Sequence, residues 1–298
     1  MTTEIVDIAD LDVIFLTYKE PNAEINWIKV KNMVPWAVRV DGVKGSDAAH
    51  KAAAAASNTE RFILIDGDNV PDEEFFGESL VLTDQNKDNV FRWKARNSIN
   101  GLQYGNGGIS CWTKEFINNM QTHEASDGSA KTAVEFCFHP DYWAMHDCYS
   151  TTYIGETTEQ AWQAGFREGV KMCLDQGVKP TLEEFVQRVH ERNYEHLSIW
   201  HNIGADITHG FWAILGARYG TYMTMLTEWD YTEVQDFDKL EVLWNEYYPS
   251  NEELDIIVDN SLSSRLGLAI LDYDDDDSYF FKRHYKSNFM NIGVMFRE

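Results

Sequence analysis

The stretch Phe62-Ile-Leu-Ile-Asp66-Gly67-Asp68-Asn69 places two carboxylates two residues apart, just where an apolar run of β-branched and aromatic residues ends. On a turn leaving a buried strand, two such groups can aim at one point. Carboxylate oxygens suit hard cations such as Mg²⁺ or Mn²⁺, which readily bridge them to diphosphate oxygens. Gly67 permits a tighter turn than its neighbours would. The plain alternative is an ordinary strand-to-turn Asp-Gly, since D-x-D is common by chance.

A second constellation is Val40-Asp41-Gly42-Val43-Lys44-Gly45-Ser-Asp-Ala-Ala-His50-Lys51. Asp41 offers an acceptor for a base edge, while Lys44 and a helix N-terminus suit phosphate. Solvated helix residues are the plain reading of His50 and Lys51. The chain lacks G-x-x-x-x-G-K-[ST], which rejects a P-loop nucleotidase. It also lacks G-x-G-x-x-G after its first apolar run, which counts against a dinucleotide-binding domain.

The elements that would position these groups alternate in type. Residues 13–16 read as a buried strand ending at Thr17-Tyr18, residues 23–32 as a short helix, and residues 36–40 as a second strand. Ser46 is the expected N-cap of an alanine-rich helix over 47–57, and residues 61–65 form a third strand. The prediction is an α/β layer with a mainly parallel sheet, in which Thr17, Asp41 and Asp66 fall at the carboxyl ends where ligands of such sheets gather. Residues 90–94 are a further strand, 103–108 a glycine-rich loop, 114–120 a helix and 121–131 a mobile loop. The second half reads as helical. Trp162, Phe166, Val170 and Cys173 follow helical spacing, Thr181-Leu-Glu-Glu184 is a capping box opening a helix to about Asn193, and residues 194–220 are helical in part. Arg167-Glu168 reads as an internal ion pair. The expected organisation is an α/β core over 1–155 and a helical part with a basic tail over 156–298, packed on the same domain.

With 298 residues, 44% hydrophobic and 13% aromatic, the chain can bury a sizeable core, which excludes intrinsic disorder. No apolar run reaches the roughly 18 residues of a membrane span, and the start has no basic-then-apolar leader, so a soluble cytoplasmic protein is expected. Four scattered cysteines (Cys111, Cys137, Cys148 and Cys173) read as free thiols rather than a disulfide or zinc framework. The net charge of -24 is uneven: residues 228–277 hold sixteen acids against Lys239 and Arg265. By contrast, Lys87, Arg92, Lys94, Arg96 and Lys114 face only Asp88 over residues 87–114. From Phe280 to Arg297 the chain carries Lys282, Arg283, Lys286 and Arg297 and no acid, leaving room for an anionic ligand. The plain reading of these basic stretches is sheet edges and a C-terminal strand.

Val43-Lys-Gly45 with Ala49-His-Lys51, then a strand into Asp66-Gly-Asp68, resembles the GT-A nucleotide-sugar glycosyltransferases, and within them a group encoded by tailed bacteriophages. Arg92-Trp-Lys-Ala-Arg96-Asn97-Ser-Ile-Asn100, Tyr104-Gly-Asn-Gly-Gly108 and Ala161-Trp-Gln-Ala-Gly-Phe-Arg167-Glu168 carry the likeness on, over roughly residues 11–220. One departure is Ser110, where the pattern has a lysine after the paired glycines.

The resemblance implies a GT-A-like sheet and transfer of arabinose or glucose from a UDP-sugar to the hydroxyl of 5-hydroxymethylcytosine in double-stranded DNA, in the cytoplasm of an infected bacterial host. It implies that Asp66 and Asp68 hold Mn²⁺ or Mg²⁺, with Asp206 and His209 as later contacts. Thr17, Tyr18, Asp41, Lys44 and His50 would hold the nucleotide, with Gly107 and Gly108 beside the sugar. Glu135 and Asp147 are candidates for the base. Lys94, Arg96, Tyr104, Lys282 and Arg283 would meet DNA, Tyr104 by stacking. Two other expectations stand beside this one: a GT-A transferase acting on a glycan, lipid or protein, and a catalytically silent nucleotide-binding module.

Overall fold

The computed structural model describes residues 3–120, 141–175, 177–189, 191–248 and 252–285. Its internal contacts divide the chain into two compact units, Met1–Ser98 with Gln103–Tyr153, and Ile99–Leu102 with Ile154–Glu298.

The first unit contains β1 (Thr3–Asp7), β2 (Asp12–Thr17), α1 (Ala23–Met33), β3 (Val38–Asp41), α2 (Ser46–Ala56), β4 (Arg61–Asp66), β5 (Asn69–Pro71), β6 (Ser79–Thr83), β7 (Val90–Asn97), β8 (Gln103–Thr113), α3 (Lys114–Asn119) and β9 (Tyr142–Thr152). Strands β1 and β6 form an antiparallel pair, and the other seven form one sheet in the order β3-β2-β4-β8-β7-β9-β5. Alternation along the strands builds two cores. Val13, Phe15, Ile63, Ile65, Ile109 and Cys111 pack with Val30 of α1 and with Val34, which ends it, on one face. On the other, Ile14, Phe62, Leu64 and Trp112 pack with Ala53 and Ala54 of α2 and Ile117 of α3. Each fully buried large apolar side chain in these layers contributes about 1.5–3 kcal/mol.

The sheet is mixed rather than mainly parallel. Strands β3, β2 and β4 run parallel, as do β7 and β9, whereas β8 runs antiparallel to both β4 and β7, and β5 runs antiparallel to β9. The short passage from β7 to β8 is the reason, because a connection of hairpin length can only reverse the chain. The expected glycine-rich loop at 103–108 belongs to β8. Register with β7 fixes its start, Arg96 opposite Gln103 and Ala95 opposite Tyr104, and its later part, Trp93 opposite Ile109; the glycines lie where the register shifts between them. Ser46 opens α2 from inside the helix; Gly45, at φ 93°, occupies the cap.

The second unit holds α4 (Thr158–Cys173), α5 (Leu182–Arg188), α6 (Glu191–Asn202), α7 (Gly210–Leu226), α8 (Phe237–Tyr247), α9 (Glu252–Leu266) and α10 (Asp275–His284). Thr181 and Glu184 form the reciprocal capping box, but α5 stops at Arg188, short of Asn193. Helices α4 and α7 meet through glycines from both sides. A Cβ on Gly165 or Gly169 would strike the carbonyls of Ala213 or Ala217, and one on Gly216 or Gly220 those of Trp162 or Phe166. Trp162, Phe166, Tyr219, Trp244 and Tyr247 stack around this seam. The expected C-terminal strand is the helix α10, its N-terminus capped by Asp274. Glu168 pairs with Lys171 at 3.2 Å, while the Arg167 guanidinium lies over the Phe237 ring, so these neighbours do not form the expected ion pair.

Among the described residues, no helix is long and apolar enough to cross a membrane. Cys111, Cys148 and Cys173 are free thiols; Cys137 and the 121–131 segment lie outside the described residues.

Candidate functional site

The carboxyl ends of β2, β3 and β4 stand side by side, with Thr17 opposite Asp41 and Leu16 opposite Asp66 in the parallel register. Thr17 Oγ1 donates to Asp41 Oδ1 at 2.5 Å, and Gly42 N donates to Thr17 O at 3.0 Å. Two buried asparagines, Asn26 of α1 and Asn22 just before it, hold the neighbouring chain: Asn26 Nδ2 donates to Gly67 O at 3.0 Å and Asn22 Nδ2 to Tyr153 O at 2.7 Å. Tyr153 N in turn donates to Asp68 O at 2.7 Å, so the Asp66-Gly67-Asp68 turn is fixed from α1 and from the end of β9.

Three carboxylates interact here. Burial, then the charges of Asp68 and Glu20, push the Asp66 carboxyl up to about 8. Asp66 nevertheless keeps much of its surface open to solvent. Crowding by protein and by like charge raises its proton affinity, and the water that reaches it moderates the rise. Glu20 was not anticipated. Its Oε2 accepts from Tyr18 N at 2.8 Å and lies so close over Gly67 that a Cβ there would come within 2.8 Å of it. From the other side Gly108, at φ 65°, abuts the Asn69 side chain, whose Nδ2 donates to Thr152 Oγ1 at 2.7 Å. A side chain at 108 would overlap Asn69, which explains the glycine. Gly107 lies beside it in β8.

Among the described residues, no group of three or more His, Cys, Asp or Glu side chains converges as a closed metal centre. The donor set still fits a hard divalent cation, which takes one or two protein carboxylates and completes its shell with water and phosphate oxygens. Asp66 and Asp68 would be that pair, and a cation there would offset the like charge that adds to burial in raising Asp66.

The remaining predicted residues are more dispersed. Tyr18 is half-buried beneath Lys19, whose Nζ lies 5.4 Å from the ring centroid. Lys44 is exposed ahead of α2, and His50 Nδ1–H donates to Ser46 O at 2.7 Å while its ring meets Trp112 edge-on. Asp147 is exposed on β9; Glu135 lies outside the described residues. Arg92, Lys94 and Arg96 alternate along β7 on one face, with Arg92 over the Tyr142 ring, Lys94 half-buried and Arg96 exposed. Tyr104 is in β8 opposite Ala95.

In the second unit, Asp206 and Lys282 are each other's partners at 2.6 Å, and Lys282 Nζ also donates to Ile99 O at 3.1 Å. The acid expected at a metal and the lysine expected at DNA are therefore tied together. His209, at φ 63°, has its Nδ1–H donating to Gly155 O at 3.0 Å. Arg283 is exposed on α10, with Nη1 3.5 Å from the Tyr279 hydroxyl.

Arg39, missed by sequence reasoning, donates through Nε to Thr17 Oγ1 at 3.0 Å, through Nη1 to Glu24 at 2.5 Å and through Nη2 to Asp41 Oδ1 at 3.3 Å. Its two-residue spacing from Asp41 on one strand was the available signal. No protein-family model, curated protein or solved structure matches this chain.

Proposed function

We propose that this chain is a metal-dependent glycosyltransferase that uses a UDP-sugar and delivers arabinose or glucose to the hydroxyl of 5-hydroxymethylcytosine in DNA. The observation that carries the reading is the grouping, at one end of the parallel β3-β2-β4 strands, of an outward-facing acceptor at Asp41 with the paired acids Asp66 and Asp68. Ligands of open α/β sheets collect at such carboxyl ends. A GT-A arrangement of this sheet and a host-cytoplasm location belong to the same proposal.

In this reading Asp41 receives the nucleoside, Lys44 and the start of α2 face the phosphates, and Asp66 with Asp68 hold Mg²⁺ or Mn²⁺. The cation, when bound, offsets the charge that develops on the departing diphosphate. The acceptor oxygen forms its bond to the anomeric carbon as the bond from that carbon to the diphosphate oxygen breaks. A carboxylate then takes the hydroxyl proton, and Asp147 and Glu135 are the candidates. Gly107 and Gly108 let the sugar approach the backbone closely. Arg92, Lys94 and Arg96 would follow phosphates of DNA from which the target base has been flipped.

Transfer assays with UDP-glucose and UDP-arabinose on hydroxymethylcytosine DNA, with and without Mn²⁺, test the reading. Metal-dependent nucleoside glycosylation that Asp68→Asn abolishes supports it; UDP binding without turnover instead identifies a silent nucleotide-binding module. The Lys282–Asp206 pair, which removes one cation from the proposed DNA surface, favours as a second reading an acceptor that is a glycan, lipid or protein.

A further inference from the structure

We infer that Arg39 sets base selectivity at this site: by holding one oxygen of Asp41 it leaves the other as a fixed acceptor for the imide N–H of a uracil ring, an inference that rests on the nucleotide-sugar reading above. Arg39 and Asp41 lie two residues apart on β3, so their side chains leave the same face of the strand. The guanidinium spans three elements, reaching Glu24 on α1, Thr17 at the end of β2 and Asp41 at the end of β3. Its side chain is 18% exposed, against 56% for Asp41, so the cation is set back and the carboxylate stands forward.

Thr17 does not compete for the ligand. It is 1% exposed; its hydroxyl proton goes to Asp41 Oδ1, and a lone pair receives Arg39 Nε. Both bonds to Asp41 fall on Oδ1, and among the described residues Oδ2 has no partner. An ionised carboxylate only accepts hydrogen bonds. Held in one orientation, it rewards a ring that presents N–H and rejects one that presents a lone pair or a methyl group in that place. A rigid planar fork suits this positioning role better than a lysine ammonium, a single mobile point charge.

The test uses the full chain with Mg²⁺ and compares calorimetric affinities for UDP and for its N3-methyl derivative, which lacks the imide N–H. Wild type is expected to prefer UDP by about tenfold or more. In Arg39→Met the preference should narrow to within about twofold, chiefly through weaker UDP binding. Arg39→Lys, which keeps the charge and is the milder change for folding, should fall between the two. Equal loss of both ligands, with the wild-type ratio intact in Arg39→Lys or Arg39→Met, would assign Arg39 a purely structural role and overturn the inference. Strong UDP binding with no discrimination by wild type would overturn it while leaving the nucleotide-sugar reading in place. Failure of wild type to bind UDP at all would remove that reading and the inference with it.

Discussion

Asp66 and Asp68 flank Gly67 on the turn leaving β4, and the charge of Asp68 adds to burial in holding the proton on Asp66 up to about 8. The unfolded chain releases that proton near 3.8. Between these values the folded state binds more protons than the unfolded one, so the contribution of Asp66 to stability is greatest at the acid end and is lost as pH rises towards 8. Metal-free protein should show this decline in thermal melts from pH 6.5 to 8. Asp66→Asn should flatten it, and added Mg²⁺ or Mn²⁺ should raise the melting temperature more at pH 8 than at pH 6.5.

His201 acts in the opposite direction. It is fully buried and hydrogen-bonded to Thr221 Oγ1 at 2.9 Å; burial, reinforced by Arg218, lowers its pKa to about 3 from an ordinary 6.5. Here the unfolded state binds the extra proton, so stability is complete above about 6.5 and falls as pH drops towards 3. His201→Gln should show a shallower acid limb than wild type in denaturant titrations at pH 4, 5 and 6. Because the Asp66 effect has the reverse slope over this range, the difference between variant and wild type is the quantity to compare.

Gly165→Ala forces a methyl group into the Ala213 carbonyl across the α4–α7 seam. Overpacking against main chain should cost about 1–3 kcal/mol, or several degrees in melting temperature, with helical circular dichroism retained at low temperature. Gly77→Ala, where nothing lies within 4 Å, is the control and should change little.

Lys94 and Arg96 share one face of β7. Replacing both with alanine should weaken binding to hydroxymethylcytosine duplex DNA and reduce the slope of log affinity against log salt by about 2. An unchanged slope in a salt series would move the DNA surface elsewhere.

Much of the first layer was legible because local pattern and tertiary demand agreed. Val13-Ile-Phe-Leu16 and Phe62-Ile-Leu-Ile65 are buried on both faces and read as strands for that reason, and the Thr181–Glu184 capping box is a purely local device. What lay beyond reach was long-range. Strand β9 carries no clear alternation, with Trp143, Ala144, His146 and Asp147 exposed, and depends on pairing with β7 and β5. The glycines of β8 read as loop because they sit at a register irregularity, between residues that pair with β7 on both sides.

The site shows the same division. Thr17, Asp41 and Asp66 at strand ends follow from where apolar runs stop. The roles of Glu20, Asn22 and Asn26 depend on how α1 returns to the sheet, which no spacing encodes. The repeated four-residue glycine spacing in α4 and α7 was visible in the chain, but its meaning required two helices placed face to face.

Residues Ile99–Leu102 belong to the second unit although the chain on either side of them belongs to the first. The backbone therefore passes between the units at 98/99, 102/103 and 153/154. A protease that nicks the chain once near Tyr153 would give two fragments with no covalent link between them, and the N-terminal one, like a gene shortened to end there, would retain Ile99 and Leu102, at 0% and 1% exposure, without the rest of the unit to which they belong. Independent expression of the sheet half calls for replacing that excursion with a short polar turn.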